Sequence, residues 1–423
     1  MRESQSGSDP RDVGPGRGAG AVRPLYRGRL VAVAGVVAIL AGVSACGGGS
    51  SGGTAPDSSA KQPYVVGATL GVTGSLASIY KPKNDALTAY FDYVNAHGGV
   101  NGHQIKYVSL DDQTNPSIGV TNVKQLLAND HPSVIIASNS DVIGAFAPIS
   151  EKAQVPVVTS ALAPSQLDPP SPYFFSSAIL ETQLSGPLVD FASEQLHVAS
   201  GANVAVLGGQ STAIDELDSN LGKDAEAKGW NVVYNQNIPL TETNLSTEVS
   251  AIVSKHPAAI FSTFTPAALP GAIAKSRQLG YEGPWVLWSN AYNLPILKTI
   301  HETGVYLEQE ETDGTGDTPE LQALRAASSA AGSSYTQYLW TQAYVNGWDI
   351  VQALKRCTAT CTGPDFSKAM ESIGTLTSAQ TGDLYPGSVT WDATTHGGPT
   401  EVGFVALKDG TPTPIGTAVK AAA

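Results

Sequence analysis

From Gln62 onward, short apolar runs alternate with stretches whose apolar residues recur at helical spacing, and the whole rhythm is played twice. YVVGATL at 64–70 reads as a buried strand. After it Ala86, Leu87, Tyr90, Phe91 and Val94 share one helical face, and the helix stops at NAHGGVNG, where Gly98 suits a left-handed C′ position. Strand QIKYVSL puts Ile105, Tyr107 and Ser109 on one face; a helix over 120–127, strand SVIIAS, a short helix over 144–152 and strand VPVVTS follow. The pattern restarts at NVAVLGG (203–209), with a helix over 215–228 stopped by Gly229, strand NVVY and a helix over 245–254. Strand AAIFSTF, a helix over 267–279 stopped by Gly280 and strand PWVLWS complete it. Such a succession implies parallel sheets covered by helices on both faces. The expectation is therefore two α/β halves at about 63–178 and 179–300. A long helix over about 335–354 and a β-rich tail come next; EVGFVALKDGTP in the tail reads as a hairpin turning on Asp409-Gly410. The remainder is too short for a third domain and is expected to complete the first two, about 301–388 joining the first half and about 389–423 the second. The acidic run EQEETDGTGDTPE, Glu308 to Glu320, reads as a solvated surface loop.

The region before this pattern is of another kind. LVAVAGVVAILAGV (30–43) is apolar and follows Arg23, Arg27 and Arg29, but it is shorter than the roughly 20 residues a membrane-spanning helix needs. A basic flank, a short apolar core and small residues describe a secretory signal over 1–45. Val43-Ser44-Ala45-Cys46 resembles a bacterial lipobox, which would make Cys46 a lipidated N-terminus. The Gly/Ser-rich run after it, to about residue 62, is then a flexible tether. The chain is expected outside the cytoplasm, held to the outer face of the cell membrane by lipid alone. In that compartment Cys357 and Cys361, spaced CxxxC, are expected to form a local disulfide, since no histidines stand near enough in sequence to make them a metal site.

Several chemistries are disfavoured. A formal net charge of −13 repels phosphate backbones, so nucleic acid is not an expected partner. GxxxxGK and HExxH are missing from the chain, GxSxG occurs only inside the Gly/Ser run at 47–53 and not as a strand-to-helix elbow, and LGGQS at 207–211 lacks the spacing of a nucleotide loop. Asp111 and Asp112 are neighbours at a strand end and so point in opposite directions, which suits a structural role better than a catalytic pair. His97 and His103 flank GGVNG without further ligands and read as exposed turn residues. No enzyme activity, metal or cofactor is expected.

VGATLGVTGSLASIY, YFDYVNAHGGVNGHQIKYVSLDDQTNP, VPVVTSALAPSQL and VTWDATTHGGPTEVGFVALKDGTP, taken in order, resemble the type I periplasmic solute-binding proteins, including the leucine/isoleucine/valine-binding group that serves ABC transporters. The resemblance implies a Venus-flytrap fold, two Rossmann-like lobes joined by a three-crossover hinge and closing on a small solute. It also implies a monomer whose partners are ABC permease subunits, or, for a sensor of the same fold, a signalling protein. Trp391-Asp392 falls in the tail strand of that pattern.

In open α/β sheets the ligand crevice lies beyond the carboxyl ends of the strands. Here those ends are 71–80, 137–141, 159–163, 208–213, 262–265 and 288–292, which brings in Tyr80 and Ala161. The resemblance places the family's carboxylate-holding hydroxyl positions on Asp141 and Ala163, and its second-lobe tyrosine on Ala213. It places a stacking aromatic on Phe264, and the ammonium-binding glutamate near Ser289 or Asn290. Ser138, Asn139 and Ser140 remain as hydrogen-bond donors, and Phe264, Trp288 and Tyr292 would form an aromatic wall. Asp141 could instead cap the helix that begins near Val142. An aspartate about 4 Å from a ligand carboxylate costs roughly 4 kcal/mol at an effective dielectric near 20. The expected solute is thus neutral, aromatic or cationic, within a range of amino acids, amides and aromatic compounds.

Overall fold

The computed structural model describes residues 61–421, apart from 75–76, 138, 161–166, 168–170, 211, 241, 337 and 359. Cys46, the signal-like segment, Ser138, Ala161 and Ala163 lie outside the described residues.

In chain order the first half is β1 (Tyr64–Leu70), α1 (Ala77–Ala96), β2 (Ile105–Asp111), α2 (Pro116–Asn129), β3 (Val134–Ala137), α3 (Ser140–Ala153), β4 (Val157–Thr159) and β5 (Phe174–Ser176). The second half is α4 (Ser185–Glu194), β6 (Asn203–Gly209), α5 (Thr212–Ala227), β7 (Asn231–Ile238), α6 (Ser246–Val253), β8 (Ala259–Ser262), α7 (Leu269–Gln278), β9 (Trp285–Leu287), α8 (Leu294–Leu297) and β10 (Val305–Gln309). Then come α9 (Pro319–Ala330), α10 (Tyr338–Leu354), α11 (Gly363–Glu371), β11 (Gly374–Leu376), β12 (Val389–Asp392), β13 (Thr395–Pro399), β14 (Glu401–Lys408) and β15 (Thr411–Lys420).

The first sheet has the order β2-β1-β3-β4-β5, all parallel. The second contains β7-β6-β8-β9-β10, also parallel, and extends through antiparallel β14 and β15. The two parallel blocks thus share one strand order, and each reverses direction of growth beside its first strand. β11, β12 and β13 form a small antiparallel sheet. Apolar runs such as VIIA and AIFS are buried along their whole length, as a strand covered on both faces must be.

The expected turns are present. Gly98 and Gly99 have φ of +97° and +71° after α1, and a Cβ on Gly99 would lie 2.0 Å from the His103 carbonyl oxygen. Asp409 and Gly410, at φ 48° and 70°, link Lys408 to Thr411 across the β14–β15 hairpin, the two-residue turn that requires positive φ at both positions.

Strand pairing departs from the partition drawn on the sequence in two places. β10 pairs with β9 and β14 and so is the fifth parallel strand of the second sheet, although 301–388 was expected with the first half. Conversely Val389 and Trp391 of β12 are buried in the first core, where the Trp391 indole N–H donates to the Ser176 carbonyl at 2.8 Å. Only β14 and β15 of the tail reach the second sheet. A parallel sheet takes whichever strand completes its hydrogen bonding, whatever the sequence distance.

Two histidine expectations resolve differently. His97 is exposed, but His103 is 3% exposed, stacked on Tyr64 at 4.4 Å and bonded through Nδ1 to the Gln62 carbonyl at 2.6 Å. The strand entry folds over it and buries the ring. Cys357 and Cys361 lie side by side, both nearly buried, with 5.4 Å between their Cα atoms.

Replacing Trp391 with alanine is expected to cost about 3–5 kcal/mol, whereas Trp391→Phe, which keeps the bulk and loses one hydrogen bond, should cost about 1 kcal/mol. Urea denaturation of both variants checks this; equal losses would show that filling the first core is not what Trp391 contributes.

Candidate functional site

The point where strand order reverses lies between β2/β1 and β3 in the first lobe, and between β7/β6 and β8 in the second. Loops at such points diverge and leave a crevice. In the first lobe the crevice floor is built by Thr69, whose hydroxyl donates to Asp112 at 3.0 Å and accepts from Asn122 Nδ2 at 3.2 Å. Asp112 also accepts from the Thr114 amide at 2.8 Å. Asp111, on the other side of the chain, accepts from the amides of Thr73 and Gln113 at 3.3 and 3.0 Å. The acidic pair therefore shapes the loop after β1 and holds its strand end.

In the second lobe the matching floor is Asp218 of α5, 1% exposed, which accepts the Thr263 hydroxyl at 2.9 and 3.1 Å. A Cβ on Gly208 would fall 1.7 Å from its Oδ2, so only glycine lets β6 end there. Burial pushes the Asp218 carboxyl up to about 7, with the Thr263 hydroxyl pulling it back.

The residues singled out from sequence scatter. Asn139, not Asp141, is the cap of α3, accepting the Val142 amide at 2.9 Å. Asp141 is exposed in the first turn of that helix, where a carboxylate suits the positive end of the helix dipole, and Ser140 is exposed beside it. Tyr80 is 6% exposed in the first core with the Lys83 ammonium 5.9 Å from its ring centre. Trp288 adjoins Phe264, its indole N–H donating to the Phe264 carbonyl at 3.4 Å, and Tyr292 belongs to the same core. All three are buried, and Phe264, at 0% exposure, lies wholly inside the second core. Asn290 is half-buried in the short turn Ser289–Ala291, and Ala213 lies in the first turn of α5.

The connection between the two lobes comes from residues that the sequence reading passed over. Along α10, Tyr338, Gln342, Asn346 and Asp349 recur at spacings of four, four and three, which places them on one face of a helix that is mostly apolar and almost wholly buried. Ser160, at the end of β4, donates to Gln342 Oε1 at 3.0 Å, and Lys83 of α1 reaches the same oxygen at 2.6 Å and Ser160 at 3.1 Å. Gln342 Nε2 donates to the Tyr338 hydroxyl at 2.8 Å, and Tyr338 donates to Glu310 at 2.8 Å. Glu310 also accepts the Ser289 hydroxyl at 2.6 Å and the Ile179 amide at 3.2 Å. A continuous hydrogen-bonded chain thus runs from the end of β4 to the end of β9. Further along the stripe Asn346 donates to Ser177 at 2.7 Å and Asp349 accepts from Tyr385 at 2.8 Å. The polar stripe within YLWTQAYVNGWDI was the available signal.

The acidic run is solvated only in its second half, where Thr315 to Asp317 are exposed; its first half is buried. Glu308, Glu310 and Glu311 are 0%, 3% and 1% exposed, and Asp313 is 9% exposed. Glu308 lies near the end of β10, and Glu310, Glu311 and Asp313 begin the crossover that leaves it, beside α10. Burial pushes Glu308, Glu311 and Asp349 well above the ordinary carboxylate range; Glu310 rises too, against the pull of the Ser289 and Tyr338 hydroxyls. Removing a carboxylate from water costs several kcal/mol, so the neutral form is favoured.

The periplasmic binding protein family model matches residues 63–412. The chain belongs to the periplasmic binding protein family. Its two-lobe, three-crossover α/β architecture is that of the type I members, and its role is solute binding. A branched chain amino acid ABC transporter protein from Thermus thermophilus, solved with bound valine, is 14% identical, with a TM-score of 0.74 over 86% of this chain and 97% of that one. A solute-binding protein from R. palustris in complex with 4-hydroxybenzoate is 19% identical, with a TM-score of 0.68 over 85% and 97%. A fatty acid ABC transporter substrate-binding protein from Thermomonospora curvata is 17% identical, with a TM-score of 0.68 over 85% and 93%. The chemotactic signal transduction system substrate-binding protein BasB of Halobacterium salinarum is 30% identical over 79 residues, which is 18% of this chain and 19% of that protein.

With Asp218 protonated in the folded state up to about pH 7 and ionised above about 4 when unfolded, the fold holds the extra proton between those values. Its contribution to stability is therefore largest at acid pH and falls as pH rises toward 7. Asp218→Asn should remove about 1.4 kcal/mol per pH unit of that slope between pH 4 and 7. Denaturant titrations across the window check this; an unchanged slope would place the titration elsewhere.

Proposed function

We propose that this periplasmic binding protein is an extracytoplasmic lipoprotein that captures a small solute between its lobes and delivers it to an ABC importer by hinged closure. The observation that carries the reading is the chain of buried polar groups from Ser160 to Ser289, which ties the cleft ends of the two sheets to one helix and to the crossovers. A solute gripped by the loops beyond both sheets gains contacts only when the lobes come together. Its binding therefore shifts the population toward the closed form, which a permease can then distinguish. Lobe 1 is assigned 63–178 with about 319–399, and lobe 2 is assigned 179–309 with 401–420, with no bond made or broken in the cleft.

The solved relatives described with valine, 4-hydroxybenzoate or fatty acid share this scaffold, so the scaffold does not select the solute. The local residues favour a neutral, aromatic or cationic solute within the amino acid, amide and aromatic range. Asp141 stands exposed at the end of the first sheet, and Trp288, Asn290 and Tyr292 stand at the end of the second. The lipobox at 43–46 and the Gly/Ser run support attachment through Cys46, and the exported setting supports a Cys357–Cys361 disulfide. The protein is taken to act as a monomer with permease subunits as partners and without metal or cofactor. The BasB similarity favours a second reading, a sensor of the same fold that reports its solute to a signalling partner. Permease and ATPase genes beside this one would favour transport.

In a thermal-shift panel, at least one aromatic, amide or cationic compound should raise the melting temperature while leucine and valine leave it unchanged; stabilisation by leucine or valine alone would overturn the solute assignment. Cys46→Ser should move the protein from the membrane fraction to the soluble fraction and remove the acyl mass from the mature N-terminus; unchanged membrane retention would sink the lipid anchor.

A further inference from the structure

The crossover leaving β10 holds more acid than its hydrogen bonds satisfy. Glu310 is fully engaged, by Ser289, Tyr338 and the Ile179 amide. Neither carboxyl oxygen of Glu308 or Glu311, nor Oδ1 of Asp349, has a hydrogen-bond partner among the described residues. The groups that face them are Lys83 and Tyr90 from α1, Ser289 from the turn after β9, Tyr338 and Asp349 from α10, and Tyr385 ahead of β12. Lys83 is the one cation among these, and it is already bonded to Ser160 and Gln342. Four buried carboxyl groups beside one ammonium cannot all be ionised in a dry interior. They also sit where the lobes must pivot. The Ile179 amide binds Glu310, and the Thr312 amide donates to the Leu384 carbonyl at 2.9 Å, so the first and second crossovers and the approach to the third are stitched together around them.

We propose that Glu308 and Glu311, with Asp349 beside them, form a proton-operated latch on the hinge: they are protonated and dry while the crossovers are packed as seen here, and they ionise when the lobes turn and water reaches the crossovers. This rests on the hinged motion of the preceding section and adds a regulator to it. Each group that ionises on rearrangement releases one proton, so the balance between the two arrangements shifts tenfold per pH unit for each proton. Acid holds the packed arrangement and alkali favours the wetted one. The latch lies behind the strand-end loops, so external pH would alter capture and release without changing the groups that touch the solute.

Protons alone are the probe. Full-length protein in detergent, carrying a fluorescence-transfer pair on exposed Ser117 and Glu226, is titrated from pH 5 to 9 without solute, and infrared spectra are recorded across the same range. Wild type should show a protonated-carboxyl C=O band persisting at pH 7 and a transfer efficiency that changes steadily with pH. Glu308→Gln/Glu311→Gln, which fixes both side chains in a neutral form, should lose the share of that band that belongs to these two groups and reduce the number of linked protons by two, leaving a weaker pH response. The single variants should each reduce the number of linked protons by one, which keeps the test open if the double variant does not fold. A wild type with no such band at pH 7, a pH-independent transfer signal, or a double variant with the full pH response would overturn the latch. Transfer that responds to a stabilising solute from the thermal panel but not to pH would sink the latch and leave the hinge standing; transfer that responds to neither would sink both.

Discussion

The structure depends on the hydrogen bonds that the buried polar stripe of α10 makes to distant parts of the chain. A helix so thoroughly enclosed has no water to turn to, and an unmet donor or acceptor there costs about 1–3 kcal/mol. Tyr338, Gln342, Asn346 and Asp349 meet that demand by bonding to Glu310, to Lys83 and Ser160, to Ser177 and to Tyr385. These partners come from the first crossover, the second, the approach to the third, the cleft end of the first sheet and α1. The helix therefore sets where the crossovers run and, through them, how the sheets face each other. Its first residue, Tyr338, packs in the second core, while Trp340 and the residues beyond it pack in the first.

Around that axis the two lobes repeat one solution. Each sheet grows in the same order from its first strand, and each places a threonine–aspartate pair beneath its switch point, Thr69 with Asp112 and Thr263 with Asp218. The pairs are not copies in detail, since Asp112 also holds the Thr114 amide whereas the Asp218 carboxyl is pushed up toward neutrality. In both lobes the cleft floor is polar but closed to solvent, which leaves the loops above it to provide the contacts for a solute.

Much of the fold was legible because its signals are local. The apolar runs, the helical faces and the left-handed glycines each rest on a few neighbouring residues, as does the Asp409-Gly410 turn. The candidate site was legible only in outline. The strand ends could be read, yet Asn139 rather than Asp141 took the cap, and Phe264 sank fully into the core. The acids from Glu308 to Asp313 misled most, because a string of acids is cheapest in water and their burial requires covering elements far away in sequence. The Lys83–Gln342 contact likewise joins residues 259 apart, which no local pattern can reveal.

By itself, the sequence determined that this chain would build two successive parallel α/β blocks ending in a hairpin, because hydrophobic periodicity and glycine dihedrals act over single turns and strands. Only the tertiary structure decided that β10 completes the second sheet, that β12 and β13 return to the first, and that the acids after β10 lie dry beneath α10. Those outcomes follow from which distant surfaces meet, since burial and hydrogen-bond satisfaction belong to the assembled chain.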